Sequence, residues 1–308
     1  MFNIVEKRRW YFLLSGVVIL VGVAAMVYSV VTLDTHTPFP LSVDFRSGTR
    51  FVLRFQEPIN EGEIRAVFAE FGVTNPSVTR LGGAQENTWQ IRSEFMPADD
   101  SRTLKAALAA VAPIDENKTE IDSVSPTVGA EVTRAAALAV LVAAVVILLF
   151  IVIAFRQVPN AFRYGVCAIV AMMHDILVAM GFMAIAGLLL GWEADALFLT
   201  AMLTVIGFSV QDTIVVFDRI RENIPKRKHE DYETVVNRSI LETIHRSLAT
   251  QLNAIFVMIA LLLFGGASIQ QFIAVLLVGM LSGTYSSIFN AVPLLVAWEK
   301  GELPLLNR

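Results

Sequence analysis

The chain has 308 residues, 55% of them hydrophobic and 17% charged, with a mean hydropathy of +0.62 and a formal net charge of −4. Apolar residues also segregate: 24 uncharged residues lie between Arg9 and Asp34, and 52 run from Ser247 to Trp298. About 20 apolar residues span a bilayer, so these runs exclude a soluble enzyme, and the absence of a basic excess gives no sign of nucleic-acid binding.

In chain order, charge-poor stretches predict six membrane helices, at about 10–32, 135–155, 164–188, 196–218, 244–264 and 269–297. The first follows Lys7, Arg8 and Arg9, and its length and lack of an A-x-A type cleavage site mark it as an uncleaved anchor rather than a signal peptide. Gly265-Gly266-Ala267-Ser268 is read as a tight hairpin between spans five and six. Cationic residues collect before span one, at Arg156 and Arg163 between spans two and three, and in the loop from Arg219 to Arg238 between spans four and five. Glu193 and Asp195 sit on the opposite side, between spans three and four. The positive-inside bias therefore predicts both termini in the cytoplasm and residues 34–131 on the far side.

That outer segment carries 15 acidic residues against 9 Lys and Arg, as a water-facing module would. Its pattern predicts a strand at Arg50–Gln56, a helix at Glu61–Phe71, strands at Ser77–Leu81 and Thr88–Ser93 around the turn Gly82-Gly83, a helix at Ser101–Val111 and a strand at Glu120–Val124. The β-α-β-β-α-β order is that of a ferredoxin-like module. The predicted domains are residues 1–33 (cytoplasmic N-terminus and first span), 34–131 (outer module), 132–298 (spans two to six) and 299–308 (cytoplasmic tail). The fold class is a polytopic α-helical membrane protein of six spans, with one α+β ferredoxin-like domain between helices 1 and 2.

Charged residues inside a span cost on the order of 2.5–3.5 kcal/mol each by insertion scales, so each requires a reason. Asp212 lies in span four within GFSVQDTIVVF and is followed by four more apolar residues, which argues against an interfacial cap. A carboxyl in such a place suits a group that gains and loses a proton. Arg246, at the start of span five, is its expected partner, or else an ordinary topology signal at a helix end. Attraction between the two would hold spans four and five together, and protonation of Asp212 would release them. Asp175, in span three beside His174, is either a second relay site or a buried helix-to-helix acceptor; at 100° apart on the helix, His174 and Asp175 need not act together. Gly279, Ser282, Gly283, Ser286 and Ser287 suit close packing of span six. The lone Cys167 is read as a packing residue, no His, Asp, Glu or Cys set has metal-site spacing, and no GxxxxGK[ST] loop occurs. No cofactor is expected.

GFSVQDTIVVFDRIREN at 207–223 resembles the fourth-helix signature of the SecF branch of the SecD/SecF family, in the resistance-nodulation-division superfamily. VDFRSGT at 43–49, HD at 174–175, IHRSLAT at 244–250, LFGG, and GTYSSIF at 283–289 resemble that family's other elements. Gln211, Ser42 and Ser47 depart from the usual pattern, the last two where glycine is common. The resemblance implies a bacterial inner-membrane protein-export subunit without ATPase activity. It would work with SecD, an accessory small membrane protein, the SecYEG channel and the ATPase SecA, and would use the proton-motive force to draw preproteins across late in translocation. It also implies that the proton carrier is Asp212 and the essential arginine Arg246. Two alternatives stand beside it: a half-size exporter of small molecules from the same superfamily, and a passive assembly subunit.

Overall fold

The computed structural model describes residues 3–33, 35–73, 76–81, 87–156 and 160–302. These divide into two compact units, Met1–Pro40 with Leu138–Arg308, and Leu41–Ala137.

Helix α1 (Arg8–Thr32) follows a single 3-10 turn. The smaller unit opens with the short helix α2 (Val43–Arg46), whose first turn is capped by the Ser42 hydroxyl accepting from Asp44 N. The chain then reverses through Ser47 at φ 62° and Gly48 at φ 121°. A Cβ on Gly48 would stand 2.6 Å from Ser93 O, so glycine is required there by both dihedral and space. Ser47 adopts a left-handed φ with a side chain, a conformation that glycine would take without strain.

Strand β1 (Gly48–Arg54), helix α3 (Glu61–Glu70), strands β2 (Ser77–Leu81) and β3 (Thr88–Ser93), helix α4 (Ala98–Val111) and strand β4 (Glu120–Val124) follow in the predicted order. The predicted turn Gly82-Gly83 lies outside the described residues. The sheet is antiparallel throughout, in the order β2-β3-β1-β4, with Phe51 opposite both Ile91 and Ile121. Alternation along β1 buries Phe51 and Leu53 against Ile64 and Phe68 of α3 and Leu104 and Leu108 of α4. Phe51 and Phe68 meet edge to face at 5.5 Å. A reciprocal capping box between Asn60 and Glu63 starts α3.

The larger unit is built from α1 and five further spans. They are α5 (Pro126–Ala154), α6 (Ala161–Leu190), α7 (Ala196–Lys226), α8 (Tyr232–Phe264) and a sixth formed by α9 (Ala267–Ser286), a π turn (Ser287–Ala291) and α10 (Val292–Glu299). All six are long and apolar enough to cross a membrane. Helices α5 and α8 begin nine and twelve residues before the predicted spans. Hydropathy registers only lipid-facing length, whereas Glu131, Arg134 and the polar first turns of α8 are good helix formers outside it. Asp231 caps α8, and Asp195 caps α7 by accepting from Phe198 N at 2.8 Å. Gly265 and Gly266 alone join α8 to α9, and a Cβ on Gly265 would stand 2.2 Å from Leu261 O.

The spans differ in burial. In α6, α7 and the sixth span 50–56% of the apolar window is buried, against 6–22% in α1, α5 and α8. The inner three approach closely wherever side chains are small. A Cβ on Gly279 would meet Val205 at 2.2 Å, and the α1–α6 crossing places Gly22 and Gly181 backbone to backbone, where a Cβ on Gly181 would lie 2.6 Å from Gly22 Cα. Cys167 is fully buried in α6.

Candidate functional site

Asp175 lies where the three inner spans meet and is completely buried. Its Oδ2 accepts from Ser209 Oγ of α7 at 2.6 Å and from Ser286 Oγ of α9 at 2.7 Å. Its Oδ1 accepts from Ser282 Oγ at 2.6 Å and pairs with His174 Nδ1 at 3.0 Å. Four donors thus converge on one carboxylate, the arrangement a buried charge requires. Gly283, between the two serines, permits it: a Cβ there would come within 3.3 Å of Ser209 Cα and 3.6 Å of Asp175 Oδ2.

His174 and Asp175 are therefore in direct contact, although a 100° step separates them on the helix. With Nδ1 turned to the carboxylate, His174 Nε2 is left without a partner, and the ring stacks on Tyr285 at 6.3 Å. Tyr285 in turn donates to Tyr11 O of α1 at 2.9 Å.

Asp212 sits on α7 three residues beyond Ser209 and is 4% exposed. Among the described residues it has a single side-chain donor, Gln251 Nε2 of α8, at 2.6 Å. Arg246 is exposed and makes no ion pair among the described residues. The expected Asp212–Arg246 attraction is thus not made in this conformation. Helical geometry gives the reason: Arg246 and Gln251 are five residues apart, about 140° around the axis and ~7.5 Å along it, so α8 cannot present both to one partner. Gln251 faces α7, while Arg246, Thr250 and Asn253 form an exposed polar edge at i, i+4 and i+7.

The sequence reading gives Ser282 and Ser286 a packing role in span six and assigns none to Ser209 or Gln251, whereas all four donate to a buried carboxylate. Their signal is spacing: Ser282 and Ser286 lie one turn apart, as do Ser247 and Gln251, in helices that otherwise expose lipid-compatible residues. Among the described residues, no group of three or more His, Cys, Asp or Glu side chains is placed to hold a metal ion.

Six spans, an antiparallel βαββαβ module between the first two in the chain, and acidic residues buried at the helix seams define a polytopic membrane protein with one small α+β module. The C-terminal SecD/SecF protein-export membrane protein model matches residues 103–301, and the SecD/SecF GG motif matches 35–59, which contains the Ser47-Gly48 reversal. A protein translocase subunit SecF from Anaerolinea thermophila is 44% identical over 98% of this chain and 96% of its own length. The SecDF translocase subunit of Bacillus subtilis is 32% identical over 97% of this chain but only 38% of its own. The crystal structure of SecDF from Thermus thermophilus superposes with a TM-score of 0.77 at 29% identity, covering 97% of this chain and 39% of that one. The chain belongs to the SecD/SecF family, as a protein translocase subunit of the SecF type.

Proposed function

We propose that this subunit converts the proton-motive force into movement that completes preprotein translocation, with Asp212 as the proton-carrying group. The observation that carries this reading is the setting of Asp212: a buried carboxyl in a membrane span, held by one neutral amide. Taking up a proton there breaks no ion pair and disturbs one hydrogen bond. Arg246 waits on the outer edge of the same helix that supplies the amide, so rotation or sliding of α8 exchanges one partner for the other. Each charge moved across 100 mV is worth about 2.3 kcal/mol, enough to bias such a two-state helix. Asp175, with its four donors, serves as a fixed acceptor at the head of the same path.

In this reading both termini are cytoplasmic, residues 34–131 form a periplasmic domain contacting the emerging chain, residues 132–298 form the coupling bundle, and 299–308 is the cytoplasmic tail. The membrane is the bacterial inner membrane. The partner is SecD, and the longer SecDF relatives, of which this chain spans 38–39%, support a second unit of that kind. The exposed polar edge Arg246–Thr250–Asn253 supports it too, since such groups are costly against lipid and are relieved by an apposed protein surface. The SecYEG channel, the accessory small membrane protein and the ATPase SecA complete the set of partners, and the Thermus relative is described as translocon-associated.

The test is preprotein release from inner-membrane vesicles under an imposed proton gradient, with the partner at equal abundance, comparing wild type with Asp212→Asn. The gradient accelerates release only when Asp212 is present. Equal acceleration in both would make Asp212 a packing residue and the chain a passive scaffold.

A further inference from the structure

Helix α8 buries a polar residue at every fourth position from Ser239 to Gln251: Ser239, Thr243, Ser247 and Gln251. This edge is pinned to α7 at both ends. At one end Gln251 donates to Asp212. At the other, Asn223 Nδ2 donates to both Ser239 Oγ and Glu242 Oε2 at 2.9 Å, and Arg219 Nε donates to Glu242 Oε2 at 2.6 Å. In this conformation the two attachments hold the intervening edge in the seam. Between Asp212 and Asn223, the buried residues of α7 are Thr213, Val216, Phe217 and Ile220, and the Thr213 hydroxyl is spent on Ser209 O. The polar side of the seam therefore belongs to α8.

Ser239 and Thr243 donate to backbone carbonyls one turn back, as hydroxyls in helices commonly do. Ser247 does not. Among the described residues its Oγ and Gln251 Oε1 have no partner, although the two residues are 2% and 3% exposed. Orphaned polar atoms are rare in a packed interior, and here two of them occur one turn apart beside the carboxyl that has a single donor. Four residues of helix rise about 6 Å, more than a direct hydrogen bond spans, so a water between the two groups is the link that connects them.

We propose that this edge of α8 is the route by which the proton leaves Asp212, through Ser247, Thr243 and Ser239 to the Glu242–Arg219 cluster at the loop end of the helix pair, with Gln251 as the positioning residue for the first transfer. The inference deepens the proton-coupled reading above and rests on it. The protonated Asp212 carboxyl gives its hydrogen to a water held between Gln251 Oε1 and Ser247 Oγ. A water bridges each turn of about 6 Å between Ser247, Thr243 and Ser239, and each hydroxyl accepts a proton on a lone pair while giving its own to the next water. The proton emerges in water at Glu242 while Asp212 returns to a carboxylate, and no electrons are transferred. A half-turn of the Gln251 amide exchanges donor for acceptor, so one side chain serves both protonation states of Asp212. The other titratable groups nearby are Asp175 and His174 on α6, reached through Ser209; His245 and Arg246 on the exposed side of α8; and Glu222, Arg227 and Glu230 beside the exit.

The experiment measures gradient-driven preprotein release in H2O and D2O, from vesicles holding the full chain with its partner. It compares wild type with Ser247→Ala, Ser247→Thr, Thr243→Val and Asp212→Asn. Ser247→Ala and Thr243→Val are expected to slow gradient-driven release about tenfold and to enlarge the solvent isotope effect, leaving gradient-independent release unchanged, while Ser247→Thr restores the rate. Wild-type rates in both hydroxyl-free variants, with Asp212→Asn inactive, would overturn the route and leave the proton coupling standing. An equal loss with and without the gradient, in both solvents, would reduce the edge to packing and overturn it as well. A gradient response that survives Asp212→Asn would remove the underlying reading, and the route with it.

Discussion

Two buried aspartates, within one helical turn of a common serine, are held in opposite ways. Asp175 gathers four donors, contributed by α6, α7 and α9, while Asp212 has one amide from α8. The helices around Asp175 are the three inner spans, and the helix that touches Asp212 is an outer one with 17% of its window buried. A carboxylate with every lone pair engaged is a fixture of the packing. One with a single neutral donor keeps most of its lone pairs unclaimed by the packing. The difference teaches that burial alone does not tell two such carboxyls apart; the number of donors each one gathers does.

The sharpest way to break this contrast is to delete each carboxyl. Asp175→Ala strands three hydroxyls and a histidine, and is expected to destabilise the bundle by about 3–5 kcal/mol, as loss of one partner from a buried charged network does. Asp212→Asn is expected to change stability by less than about 1 kcal/mol. Thermal unfolding of the purified chain in detergent measures both, and equal losses would dissolve the distinction. Next in size, Ser286→Ala removes one donor from the fixed carboxylate and should cost about 1.5–3 kcal/mol, against about 1 kcal/mol for Gln251→Leu. A double-mutant cycle of Ser282→Ala with Ser286→Ala should show coupling, since both serve one acceptor.

The contrast between held and strained backbone extends to the smaller unit, where Ser47→Gly is expected to gain about 1 kcal/mol by relieving a positive φ that glycine adopts freely. Denaturant unfolding of the full chain, followed by Trp89 fluorescence, reads it. The smallest effect concerns pH. The Arg8 guanidinium, donating to Glu302 through Nε at 3.0 Å, holds the Glu302 carboxyl below its ordinary range. A depressed folded value means the contact is fully present above the unfolded carboxylate range and is lost as pH falls through the depressed value. The stability difference between wild type and Arg8→Ala, read by thermal unfolding across pH, should shrink only in that acidic window.

Much of this was legible in the chain. Six spans followed from uncharged length, because lipid imposes a composition that no other environment does, and the outer module followed from alternation in Arg50–Gln56 and the helical spacing of Ile64, Val67 and Phe68. Helix ends were less legible: Glu131 and Arg134 are invisible to hydropathy yet helical. Asp175 and Asp212 stood out because a charge in a span is conspicuous. What surrounds them did not, since serine in a membrane helix reads equally as a small packing residue, and its bond to a carboxylate on another helix depends on how three helices are rotated. The exchange of Arg246 for Gln251 opposite Asp212 has the same origin: sequence gives depth along α8 but not the face turned to α7.

The four-donor clasp on Asp175 also has a history within each molecule's synthesis. Its last two donors, Ser282 and Ser286, are encoded 107 and 111 residues after it. At ~5–20 residues per second, the third span waits on the order of ten seconds before those hydroxyls exist. Throughout that interval it carries an under-satisfied carboxyl. A nascent chain truncated before α9 keeps that defect permanently, so the completeness of the polypeptide is written into how well its third helix tolerates the bilayer.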